Sequence, residues 1–204
     1  MAITKKKPPV KQTVGAQYIC FNTQDAEGEW TENFDAAVTK LPTVVDEEVS
    51  DSADSYESYA SGAVYDSDTD VQYKEIAVTQ IAFDDALIAK MRGDTAEDGV
   101  IISGGRRERP YFAYGIPIIK KGFTSVMRWY PKCKLIENSD RTATSADSHS
   151  DQTDTITIRA YPYNDNKDID VSADTSVTKF AELTEDAFFA APLLTKAAVD
   201  ALVS

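Results

Sequence analysis

The side chains able to do chemistry in this 204-residue chain are few and poorly placed for it. The one histidine, His149, stands close to Ser145, Asp147 and Ser148, residue types that serve in nucleophilic triads. A triad needs nucleophile and base held in a fixed, partly buried geometry, which a flexible polar run does not provide. Asp66, Asp68 and Asp70 reproduce the first acidic positions of a helix-loop-helix calcium loop, but its glycine position holds Val71 and its twelfth position Ala77. Ser103, Gly104 and Gly105 lack the spacing and the lysine of a phosphate-cradling loop. A single histidine and two distant cysteines cannot form a zinc site of standard spacing. Cys20 and Cys133, without CxxC spacing, read as small buried hydrophobes rather than as a disulfide. Asp84 and Asp85 serve more economically as helix caps than as an acid/base pair. The sequence therefore predicts no enzyme, no cofactor and no metal.

Charge narrows the partners further. The net charge of −13 argues against a nucleic-acid groove, which needs clustered Lys and Arg to displace counterions from phosphates. It leaves room for a surface that DNA passes without sticking. No apolar run approaches the ~20 residues that span a bilayer, and the first residues lack the apolar core of a signal peptide. The expectation is a chain made in a cytosol, with no membrane partner.

The elements that must position these residues are mostly strands. Residues 111–119 are aromatic and β-branched, Lys120, Lys121 and Gly122 supply a turn, and residues 123–135 alternate with period two. Phe123, Ser125, Met127, Trp129, Pro131, Cys133 and Leu135 fall on one largely apolar face. Thr124, Val126, Arg128, Tyr130, Lys132 and Lys134 fall on the other. This is a β-hairpin whose prolines, Pro117 and Pro131, favour an edge, a bulge or a strand end. Strands are also expected at residues 15–21, 71–83 and 155–161. A bulge is expected near Thr79 and Gln80, and a hairpin return over residues 168–172.

One helix is clear: Asp84 or Asp85 caps it, Leu87, Ile88 and Met91 share a face, and Gly93 closes it. Residues 1–13, basic and proline-containing, read as a flexible arm. Residues 14–191 read as one β domain with a long polar loop at 138–154, and residues 192–204 as a C-terminal helical or arm segment. Between residues 42 and 73 the chain has no Lys or Arg but many acids, with Tyr56, Tyr59 and Tyr65 threaded among them. That composition suits an exposed sheet or hairpin rather than a disordered acidic tail.

In order and spacing these elements resemble the phi13-type major tail proteins, the tail tube proteins of phages with long non-contractile tails. The matching stretches are Gly15-Ala16, the Gly62–Asp68 run with the strand and helix after it, and the aromatic 111–115 strand. Residues 127–134, the polar linker and residues 154–161 complete the match. The resemblance implies a β-sandwich or barrel-like domain with a flanking helix, assembling into hexameric rings that stack into a virion tail tube. It further implies assembly in the host cytoplasm, passage of DNA through the lumen without specific binding, and tape-measure, tail-terminator and tail-tip proteins as partners. Intersubunit contacts are expected between Arg106, Arg107 and Arg109 and the acids Asp46, Glu47, Glu48, Asp66, Asp68 and Asp70 of a neighbour. The alternative from another functional class is a monomeric β-sandwich binding module with an aromatic ligand face.

Overall fold

The computed structural model describes residues 7–105, 107–139 and 152–203. The chain runs β1 (Lys11–Val14), β2 (Gln17–Phe21), β3 (Thr39–Leu41), β4 (Val44–Ala60), β5 (Ala63–Gln80), α1 (Asp85–Arg92), β6 (Thr95–Glu97), β7 (Val100–Ile102) and β8 (Phe112–Lys120). It continues through β9 (Ser125–Ser139), β10 (Asp154–Ala160), β11 (Val171–Asp174), α2 (Glu185–Phe188) and α3 (Lys196–Ala201). It is a mainly β protein built on one large antiparallel sheet in the order β3-β2-β8-β9-β10-β5-β4, with β1 added on β8 and β11 on β9.

The sheet curls on itself. Its two outermost strands, β3 and β4, are consecutive in the chain and separated by Pro42 and Thr43 alone, so one continuous segment pairs with β2 at one end and β5 at the other. The seam is fastened by Gln80, whose Oε1 accepts from Gln17 Nε2 at 2.6 Å and from Thr43 Oγ1 at 3.0 Å. The result is barrel-like. Ile19, Ile76, Val78, Tyr114, Leu135 and Ile158 fill the inner face, and α1 lays Leu87, Ile88 and Met91 against them. The helix ends are built as the sequence requires. Asp84 Oδ1 accepts from the Ala86 amide at 2.9 Å, and Gly93 closes the helix at φ 73°. A Cβ at Gly93 would stand 2.2 Å from the Glu108 carbonyl, so a side chain is excluded by contact as well as by conformation.

A second core lies on the outer face of the sheet. Tyr18, Cys20, Met127 and Trp129 are covered there by the C-terminal segment through Leu183, Phe188, Phe189 and Leu193. Trp129 Nε1 donates to the Phe188 carbonyl at 3.1 Å, Phe189 stacks on Tyr18 with centroids 4.1 Å apart, and Gly115 leaves room for the Phe189 ring. Cys20 and Cys133 are both buried, on opposite faces of the sheet.

The strand pattern of residues 123–135 is interrupted where the sequence carries proline. The pairing of β8 with β9 jumps from Tyr114↔Tyr130 to Phe112↔Cys133, so a bulge at Pro131-Lys132 inserts one residue. Met127 and Trp129 therefore face the outer core, whereas Tyr130, Cys133 and Leu135 face the inner one. The single apolar face expected from strict alternation is divided between two cores. Phe123 is fully exposed in the turn, at φ 63°. Pro117 sits where β8 changes partner from β2 to β1, so its missing donor interrupts no ladder.

Two further expectations shift. The bulge near Thr79 falls on the partner strand, where the register steps from Val44↔Gln80 to Asp46↔Thr79. Residues 171–174 do not return along β10. They pair with Val126–Trp129 of β9, resuming the line that β10 leaves after Ala160 and running in the same direction.

Candidate assembly interface

The β4–β5 hairpin is longer than the barrel needs. β10 covers β5 only from Lys74 to Gln80, and the pairing of β4 with β5 continues to Ala60↔Ala63. From Asp54 and Asp70 outward the ribbon has two strands and projects about 20–25 Å at ~3.3 Å per residue. Its tip is a two-residue turn in which Ser61 and Gly62 have φ of 54° and 78°, the positive-φ pair that matches the twist of a hairpin. Tyr56, Tyr59, Val64 and Tyr65 are 70%, 68%, 52% and 81% exposed on it. Exposed large apolar side chains at this density make the ribbon a candidate contact surface.

The two faces of the ribbon differ. Asp54, Tyr56, Asp66, Asp68 and Asp70 continue the outer face of the sheet, while Ser55, Glu57, Tyr59, Val64, Ser67 and Thr69 continue the inner one. One face carries four aspartates and Tyr56; the other carries the single acid Glu57 among hydroxyls and apolar groups. Asp70, at the base, forms an ion pair with Lys167 of its own subunit.

Glu47 lies elsewhere, among the lining of a cleft of about 570 Å³ between β1 and β4, together with Lys11, Asp51, Lys74 and Arg128. Burial pushes its carboxyl up to about 7, against the pull of the Arg128 guanidinium and the Lys11 ammonium. Arg128 donates to the Tyr130 hydroxyl at 2.9 Å, and its Nε stands 3.5 Å from Asp170, which also holds Lys74. Asp46 and Glu48 are exposed beside it.

Arg107 and Arg109 are engaged within their own chain. Arg107 Nε donates to the Gly104 carbonyl at 3.1 Å and lies 3.6 Å from Asp94, while Arg109 Nη1 donates to the Leu135 and Ile136 carbonyls at 2.5 and 2.6 Å. Arg109 therefore anchors the second bulge of β9, where pairing with β10 skips Ile136. Arg106, His149 and most of the 138–154 loop lie outside the described residues. So do the first residues of the N-terminal arm, whose continuation at Lys11 forms β1.

Sequence reasoning missed a second small hairpin. β6 and β7 pair across Asp98 and Gly99, at φ 49° and 81°, and expose Val100 and Ile102 at 61% and 59%. The Asp-Gly dipeptide before three β-branched residues was the available signal.

Among the described residues there is no cluster of His, Cys, Asp and Glu able to hold a metal, and no helix long and apolar enough to cross a membrane. Fold and surface together define a barrel-like β protein with a protruding two-stranded arm.

No protein-family model and no curated protein matches the chain. Among solved structures it is similar to a chain of the PVC sheath-tube complex of an extracellular contractile injection system in the extended state. That likeness has 10% identity and a TM-score of 0.40 over 77% of this chain and 87% of that one. It is also similar to a chain of the anti-feeding prophage baseplate, with 6% identity and a TM-score of 0.44 over 83% of this chain and 97% of that one. At these values neither likeness assigns a role.

Proposed function

We propose that this chain is a structural virion subunit that self-assembles into stacked hexameric rings forming a phage tail tube, through which DNA travels during ejection. The observation that carries the proposal is the β4–β5 ribbon. A two-stranded ribbon is at best marginally stable in water, and this one carries three tyrosines and a valine more than half exposed beyond the end of its barrel. Another subunit can cover those side chains and pair the free edge of β4, as a ring of identical copies does. The order of motifs that resembles the major tail proteins supports the same reading. An acidic chain suits a lumen that must not retain a polyanion. Tape-measure, terminator and tip proteins are the further partners, and the assembled tail is the location. Electron microscopy across a concentration series, paired with sedimentation velocity, tests this: hollow rings or tubes with six subunits per ring are expected. A protein that stays monomeric at all concentrations, with tail-tip components added as nuclei, would overturn it.

A further inference from the structure

We infer that the acidic outer face of the ribbon docks on a cationic patch on the barrel of a second copy, formed by Lys132, Lys134 and Arg159. This inference rests on the self-assembly proposed above and names the surfaces that meet. The outer face of the sheet is covered unequally. The C-terminal segment packs over β2, β11 and the first half of β9, but the core it forms does not reach β10, β5 or the second half of β9.

On that uncovered part Lys134 and Arg159 are directly paired across the strands, and Lys132 lies two residues along β9. Each cation rests on an aromatic ring. Lys134 Nζ is 3.9 Å from the Tyr111 centroid, Lys132 Nζ 5.5 Å from that of Trp30, and the Arg159 guanidinium 4.1 Å from that of Tyr73. Glu75 meets Arg159 at 3.1 Å. Among the described residues no carboxylate pairs with Lys132 or Lys134. Glu137, opposite Thr157, lies on the same face, so Lys132 and Lys134 supply the unpaired positive charge of this aromatic-backed surface.

Its complement is the ribbon face carrying Asp54, Asp66 and Asp68, three exposed carboxylates at successive outward positions with Tyr56 among them. None of the three forms an ion pair among the described residues. Both surfaces belong to the outer face of the same sheet, the acids toward the ribbon tip and the cations on the barrel. Asp54, Asp66 and Asp68 stay exposed and do not reach these cations of their own chain. The contact is therefore between copies and heterologous, so that each subunit donates a ribbon and receives one. Tyr56 and the aromatic platform would exclude water around the charges, which raises their value above that of solvated pairs.

The test uses two full-length variants. One reverses the patch (K132E/K134E/R159E) and keeps the acidic ribbon; the other reverses the ribbon (D54K/D66K/D68K) and keeps the patch. The three aspartates are exposed and the three cations half-buried, and circular dichroism checks that each variant is folded. In sedimentation velocity at low salt, each variant alone is expected to need at least about tenfold more protein than wild type to assemble. An equimolar mixture is expected to recover wild-type behaviour, because each reversed surface then meets its complement. Wild-type assembly by either folded variant alone, or no recovery in the mixture, would overturn this pairing while leaving the tube reading intact. A wild type that never self-associates would overturn both.

Discussion

The barrel and the ribbon are made from the same two strands and obey opposite rules. Between Lys74 and Gln80, β5 has a neighbour on each side, and Ile76 and Val78 are completely buried. Ten residues earlier, still in the same strand, Val64 and Tyr65 stand in solvent. The barrel buries its large apolar side chains; the ribbon leaves its own in solvent. Under the proposed assembly, the difference separates residues whose substitution unfolds the chain from residues whose substitution affects only its association.

The largest effect is expected in the outer core. Trp129→Ala removes a fully buried indole, its hydrogen bond to Phe188 and its edge contact with Phe189. A loss of ~3–5 kcal/mol is expected in denaturant unfolding. An effect below ~1 kcal/mol would mean that the C-terminal segment is not docked as described.

The cleft beside β4 gives a pH signature of intermediate size. Because burial raises the folded-state value of Glu47 from 4.5 to about 7, its contribution to stability is fully present below pH 4.5 and is lost as pH rises through 7. Wild type should therefore lose on the order of 2 kcal/mol between pH 5 and 8 relative to Glu47→Gln. Parallel stability profiles for the two proteins would place Glu47 in water.

A smaller cost of about 1 kcal/mol is expected for Asp84→Ala, which leaves the first amides of α1 without their acceptor. Thermal melts with and without the substitution measure it. The smallest effect on stability belongs to the ribbon. Tyr56→Ser combined with Tyr65→Ser should move subunit stability by no more than ~0.5 kcal/mol and still weaken assembly in sedimentation. Destabilisation comparable to that of Trp129→Ala would erase the distinction between the two regions.

Several features could be read from the residues because they are local. The cap at Asp84, the glycine at the end of α1, the hairpin turn at Gly122 and the strand at residues 154–160 each follow from a few neighbours in sequence. The bulge at Pro131 was legible as a possibility, since proline cannot donate to a ladder. Its consequence was not, because period-two alternation carries no information about where one residue is inserted. The destination of β11 was equally hidden. A short Val-Ser-Ala-Asp run does not say which strand it will join, and the nearest strand in sequence is not the one that offers the free edge. Of the expected contact residues, the exposure of Asp66 and Asp68 followed from composition. The internal engagement of Arg107 and Arg109 depends on carbonyls left open by irregular backbone about 3 and 26 residues away.

By itself the sequence determined the class of structure, the absence of familiar catalytic spacing and the segregation of acids onto one long segment, because composition and period are properties of neighbours. Tertiary structure alone decided that the sheet curls until β3 and β4 meet, that Glu47 turns into a cleft while Asp46 and Glu48 face water, and that Lys132, Lys134 and Arg159 gather on one uncovered face. Those outcomes depend on which distant strands pair and in what register. Register is fixed by the packing of both faces together, not by any stretch of chain alone.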